Sequence, residues 1–187
     1  VNLYFDFAGY THIAVGSARL FGIRLRENFD HPYFSTSVSE FWTRWHMSLS
    51  YWIRDYLFFP LADLRRGRAW VDISRVVSMV VFGIWHGVGM TYALWGLFQG
   101  LMTVAHRRIQ RIRRRRILAR AGAAPGVLGV VLARALTFLV ITLGWILFRS
   151  NSPAQAAAML ARLFVPSAWG TFALHGSFHA AVALVAS

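Results

Sequence analysis

Between Arg75 and His106 thirty consecutive residues contain no Asp, Glu, Lys or Arg. Apolar runs beyond about 18 residues are read as membrane-embedded, because a surface element of a soluble domain keeps a charged face. In the middle of the run lies "FGIWHGVGM" (Phe82–Met90), a histidine followed at once by glycine. The whole chain agrees with the run: 57% of residues are apolar, 16% aromatic and 14% charged. Ordinary globular domains are about 45–50% apolar and about 25% charged. The chain therefore reads as an integral membrane protein, and its eight Trp suit the bilayer interfaces.

The flanks of the run constrain its path. "LADLRRGRAWVDISR" (Leu61–Arg75) precedes it and "HRRIQRIRRRRILAR" (His106–Arg120) follows, and both read as basic loops. Net charge is +13, all of the cations being Arg, and a positive loop beside a span is by default cytoplasmic. A single span cannot put both loops on one side. A hairpin turned near Gly83, Gly87 and Gly89 can, but two arms of fifteen residues reach only about 22 Å each. The other solution is one long tilted helix with one basic loop outside. Either way, segment 76–105 is intramembrane and carries His86.

The rest of the chain is read as pieces of the same kind. Val1–Ile23 is apolar and reads as the end of a span or a buried helix, and "RLRENFDHPYFSTS" (Arg24–Ser37) as a loop. Ser37 and Glu40 have capping-box spacing. They open an expected amphipathic helix over 38–60, with Phe41, Trp42, Trp45, Leu49, Trp52, Ile53 and Tyr56 on one face, lying along the interface or against spans. Segment 106–120 is the Arg-rich loop and "AGAAPG" a flexible break. Residues 127–148 form a span, Arg149–Pro166 a polar loop leading into a short helix, and Phe172–Ser187 the start of another apolar segment. No internal repeat is visible. Residue 1 is Val and the last residues are apolar, so 1–187 is expected to be one fragment of a larger multi-pass protein, inactive by itself.

Few residues could carry chemistry. His86 could be a packed and hydrogen-bonded spectator, a ligand or a general base, and an ionisable group inside the membrane profile is a functional candidate. His46, in "RWHMSLS", could be an interfacial polar residue or a second member of a site. There is no Cys, no HxxxH or HxH spacing around these two, and His175 with His179 lacks an acidic partner, so no metal site is expected. The Arg run reads as topogenic, and no nucleic-acid partner is expected. A transporter or export component for envelope glycans without chemistry of its own is the alternative, though paired intramembrane acids and two similar halves are missing.

The ordered set "ENF…PY…EFWTRWHMSLS…WIRDY…IWHG", with the later "FLVITLGWILFRS", resembles the membrane-bound O-acyltransferase family, in its bacterial alginate O-acetylation and D-alanyl transfer branch. The resemblance covers nearly the whole chain. It implies an all-α, multi-pass transmembrane helical bundle with a tunnel, of which this chain is the C-terminal-side portion, in the bacterial cell inner membrane. The family's intramembrane histidine falls on His86 and its second histidine motif on His46. The resemblance implies His86 as the base, His46 as its assistant, Trp85 and Trp45 as tunnel walls, and Asn28, Arg54 and Asp55 as further tunnel candidates. It implies no tightly bound cofactor. The acyl donor would be a thioester, acyl-CoA or an acyl carrier protein, arriving on the cytoplasmic side. An acetyl- or D-alanyl-class group would pass to a hydroxyl of an envelope polysaccharide or lipid-linked glycan, with an extracytoplasmic partner acyltransferase as a further expected partner. "LADLRRG" (Leu61–Gly67), where alginate-type members carry Gly-Gly-Asn, and Thr11–His12, where many carry Ser-Asp, leave the acyl group and the acceptor open.

Overall fold

A computed structural model describes residues 2–118 and 126–165. Every regular element among the described residues is helical. They are α1 (Asn2–Leu20), a single 3-10 turn (Pro32–Phe34), α2 (Val38–Arg44), α3 (Met47–Ile53), a π-helical turn (Arg54–Phe58), α4 (Phe59–Asp63), α5 (Arg68–Trp85), α6 (Met90–Leu118), α7 (Val127–Arg149) and α8 (Pro153–Arg162). Among the described residues one helix, α7, is long and apolar enough to cross a bilayer, with 23 residues and a mean hydropathy of 2.2. At 1.5 Å per residue it is about 35 Å long.

The charge-free run is a helical hairpin, and the long tilted helix is not formed. α5 ends at Trp85, His86–Gly89 turn the chain, and α6 returns along α5. The arms run past the apolar run into both flanks, so they are 18 and 29 residues long, about 27 and 43 Å, rather than fifteen each. Arg is a good helix former, and a helix already nucleated extends through it readily. Residues 106–118 are accordingly the last turns of α6 rather than a loop. On the other flank only Leu64–Gly67 lies outside helix, with Gly67 at φ 124°.

Glycine sets the spacing of the hairpin. A Cβ at Gly96 would collide with the Met79 carbonyl oxygen, and one at Gly83 with the Tyr92 carbonyl oxygen. At Gly100 it would lie 2.9 Å from the Val76 Cα. Small residues at these three points allow backbone to approach backbone, the usual device for helix association in lipid. At the open end Asp72 of α5, only 5% exposed, receives Arg108 Nε at 3.0 Å and lies 3.8 Å from Arg111 Nη2, both on α6, and 3.4 Å from Arg75 Nη1 of its own helix. That acid holds the two basic flanks together at one end, the arrangement the single-span problem demanded.

The amphipathic helix expected over 38–60 is broken twice. Its start is as the sequence indicates: the Ser37 hydroxyl accepts the Glu40 N–H at 3.0 Å, and the Glu40 carboxylate accepts from the Thr36 N–H and hydroxyl, each at 2.8 Å. After Arg44 the chain turns extended at Trp45 and left-handed at His46 (φ 44°, ψ 55°). The groups freed by this break are taken up by the preceding loop. Asp30 N–H donates to the Arg44 carbonyl at 3.0 Å, and Met47 N–H to the Asn28 carbonyl at 2.9 Å. Further on, the ladder widens into the π turn at Arg54–Phe58. The side chains expected to share one face therefore separate: Phe41, Trp42, Trp45 and Ile53 are buried, whereas Trp52 and Tyr56 are 54% and 70% exposed. The buried ones join Phe82, Trp95 and Ile141 in one core drawn from α2, the α2–α3 joint, α3, α5, α6 and α7. α8 is the short helix expected after the polar loop, opened by Ser152 and Gln155 in the same capping pattern as α2. The apolar segment 172–187 and the His175/His179 pair lie outside the described residues.

Gly96→Val should loosen the hairpin by about 1–3 kcal/mol, the usual cost of overpacking, read as a fall in thermal unfolding temperature in detergent. A pH effect is expected at the first cap. Burial alone would raise the Glu40 carboxyl, but the Thr36 donors and Arg44 outweigh it and hold it below its ordinary value. The stability it adds is complete above the unfolded pKa, about 4.3, and is lost as pH falls through the lower folded value. Glu40→Gln should flatten the acid limb of the stability–pH curve; an unchanged limb would show the cap to be irrelevant there.

Candidate active site

The two histidines are brought to one cavity by different local devices. His86 is the C-cap of α5, and its Nδ1–H donates to the Phe82 carbonyl oxygen, 2.8 Å away and one turn back. A carbonyl can only accept, so Nδ1 carries the hydrogen and Nε2 of the neutral ring is left as an acceptor. Aromatic rings hold the imidazole on several sides: Phe82 and Trp85 at 4.9 Å, Phe148 at 5.2 Å and Trp95 at 5.5 Å between centroids.

His46 reaches the cavity because the helix breaks there. A left-handed backbone is uncommon for a residue with a Cβ, and such strain gathers at functional sites. Asn28 holds the break in shape: besides its carbonyl bond to Met47, its side-chain Oδ1 accepts the Ser48 N–H at 3.1 Å. The His46 ring packs edge-on against Phe7 of α1 at 4.7 Å, and its Nδ1 is buried without a protein partner.

The cavity between them has a volume of about 240 Å³. Its walls include Trp45, Trp85, Trp95, Trp145 and Phe148, so α1, the α2–α3 joint, the hairpin and α7 all contribute. Of the residues singled out in the sequence, His86, His46, Trp85 and Trp45 meet here. Asn28 does not line the cavity; it positions the backbone beside His46. Arg54 and Asp55 lie elsewhere, paired with each other through Nε–Oδ1 at 2.6 Å, with the Arg54 guanidinium over the Tyr51 ring. Arg54 instead borders a second cavity of about 370 Å³, together with Arg75 and Arg107. Phe82, Trp95, Trp145 and Phe148 were not indicated by spacing, since they come from three helices and meet only on folding. Among the described residues no group of His, Cys, Asp or Glu could hold a metal ion.

The family model for membrane-bound O-acyltransferases matches residues 2–148. The chain belongs to that membrane-bound family. Among curated relatives it is similar to the "Probable alginate O-acetylase AlgI" of Pseudomonas aeruginosa, 37% identical over 168 residues, which are 90% of this chain and 30% of the relative. It is similar also to the peptidoglycan O-acetyltransferase of Helicobacter pylori, 34% identical over 85% of this chain and 29% of the relative. The teichoic acid D-alanyltransferase of Bacillus subtilis is 38% identical over 56% of this chain and 28% of the relative. The chain thus spans less than a third of the length of the curated relatives it matches.

Asn28→Ala removes the side-chain acceptor from a partly exposed bond at the break. It should lower stability by about 1 kcal/mol. Tryptophan fluorescence should report a loosened environment around Trp45; unchanged emission and stability would mean that the break is held without Asn28.

Proposed function

We propose that the full-length protein is an O-acyltransferase of the bacterial inner membrane, multi-pass in topology. It moves an acetyl- or D-alanyl-class group from a thioester to a hydroxyl of a cell-envelope polysaccharide or lipid-linked glycan. The observation that carries this reading is the bond from His86 Nδ1–H to the Phe82 carbonyl. It leaves the opposite nitrogen of a ring that lines an aromatic cavity as an acceptor.

The chemistry follows from that nitrogen. The acceptor hydroxyl gives its proton to His86 Nε2 as its oxygen attacks the thioester carbonyl. The tetrahedral intermediate then collapses, the C–S bond breaks, and the leaving thiolate takes the proton from His86, returning the ring to its starting tautomer. General-base assistance of this kind is worth about 10²–10⁴-fold. His46, on the same cavity, orients a reactant or stabilises charge near the carbonyl. The aromatic walls keep bulk water from the thioester and hold both reactants in one place, which supplies the proximity term.

The basic end of the hairpin suggests the direction of supply. By the positive-inside tendency that end is cytoplasmic, and the 370 Å³ cavity with Arg54, Arg75 and Arg107 at its border suits an anionic donor, acyl-CoA or the arm of a carrier protein. The glycan then comes from the opposite face, with an extracytoplasmic acyltransferase as a candidate partner. The relatives that act on alginate, peptidoglycan and teichoic acid support an envelope polymer as acceptor.

His86→Ala in the full-length protein should abolish acylation of envelope glycans in cells, measured by mass spectrometry with protein levels matched by immunoblot. Wild-type acylation in that variant would sink the base assignment. A transporter would behave differently, moving glycan across proteoliposomes in the absence of any acyl donor.

A further inference from the structure

The outer cavity of about 370 Å³ is bordered by Arg54, Arg75 and Arg107 and by no Asp or Glu. The three cations are not equivalent. Arg54 is spent on Asp55, which it meets through Nε at 2.6 Å and Nη2 at 2.9 Å. Arg75 lies with its guanidinium over the Phe58 ring at 4.8 Å, and its Nη1 is 3.4 Å from Asp72. That carboxylate is divided, since Arg108 and Arg111 of α6 also turn to it. Among the described residues Arg107 has no ion pair, and its Nε donates to the Ser39 hydroxyl at 3.1 Å.

What is left unspent has a definite chemistry. With Nε taken by Ser39, Arg107 keeps its two Nη groups, a planar fork that fits two oxygens of a phosphate. The Ser39 oxygen accepts in that bond, so its own hydrogen is left to donate. Arg75 stands close enough for the charges of the two arginines to act on one another, and a second cation beside the fork favours an anion there.

The distance to the histidine narrows the kind of anion. Arg75 and His86 are eleven residues apart on α5, about 16 Å at helical rise. Along that stretch Ser78, Met79 and Phe82 border the outer cavity, and Phe82 and His86 border the inner one. A ligand with its phosphate on the arginines and its reacting carbonyl beside His86 needs an arm of that length. The arm common to coenzyme A and acyl carrier proteins has about thirteen bonds from phosphorus to sulfur, about 15 Å at the roughly 3.5 Å that three bonds of an extended chain cover. A short thioester cannot touch both ends.

We infer that Arg107, oriented by Ser39 and backed by Arg75, is the anchor for the phosphate of the donor's arm, set one arm's length from His86. This rests on the acyl-transfer reading above and names the part of the donor that the outer cavity grips. Arg54, already neutralised by Asp55, is not part of the anchor.

The test uses inverted membrane vesicles from cells making the full-length protein, with initial transfer to the envelope glycan measured by mass spectrometry at limiting donor. Four donors carry the same acyl group, acetyl and D-alanyl being run in parallel. They are the thioesters of coenzyme A, of an acyl carrier protein, of phosphopantetheine, and of pantetheine, which lacks the phosphate. Wild type should use the phosphopantetheine thioester at least about tenfold better than the pantetheine thioester. That ratio should fall to near unity in Arg107→Ala and to an intermediate value in Arg107→Lys, which keeps the charge and loses the fork. It should hold its wild-type value in Arg108→Ala, which removes the same charge from the Asp72 side. No preference in wild type, a preference that survives Arg107→Ala, or an equal fall in Arg108→Ala would overturn the inference. So would a wild type that uses coenzyme A or the carrier but neither free arm. With the ratio as expected, the faster of the coenzyme A and carrier thioesters identifies the source of the arm. A wild type that uses none of the four removes the acyl-transfer reading together with this inference, and is told apart because it fails before any substitution.

Discussion

The backbone-to-backbone contact of α5 with α6 is the constraint on which the remainder hangs. At membrane depth a turn of irregular chain is tolerated only inside protein or beside a cavity. The glycines at positions 83, 96 and 100 bring the arms together so closely that His86, at the start of the turn, packs among aromatic side chains. With a spacing set by larger residues the arms would part, Trp95 would leave Phe82, and the wall of the inner cavity would open. The ion cluster at Asp72 reinforces the same pairing from the other end.

A second constraint is the loop 24–37, which has almost no regular structure yet determines where the helices stop. Its Asn28 and Asp30 supply the groups that a broken helix leaves unpaired, and through them Trp45 and His46 are turned inward. The left-handed backbone at His46 persists because bonds on both sides of it hold it in place. Local preference would have carried the helix straight on.

That contrast explains what could be read from the sequence. The hairpin is half legible: glycines and two basic flanks point to a turn, but arginine runs read as loops and so hide the true arm length, although Arg is at home in a helix. His86 and His46 were legible through ordered motifs and the family resemblance, and Ser37 with Glu40 through cap spacing. The break at Trp45–His46 was not, because periodicity continues across it and the bonds that make it come from fourteen to twenty residues earlier in the chain. Arg54 and Asp55 looked like tunnel residues by motif, yet they pair with each other outside the histidine cavity, and no local pattern distinguishes the two outcomes.

The position of His86 at the tip of a hairpin clamped at Asp72 makes α5 a lever. Fourteen residues separate the two, about 21 Å of rigid helix. A tilt of about three degrees at the clamp swings the imidazole through about 1 Å, and a displacement of that size can cost a reaction about 10²-fold. Registration of His86 against its cavity is thus a mechanical property of the charge cluster at Asp72 as much as a chemical property of the cavity, and lipid or ionic conditions acting on the cluster would be felt at the opposite end of the helix.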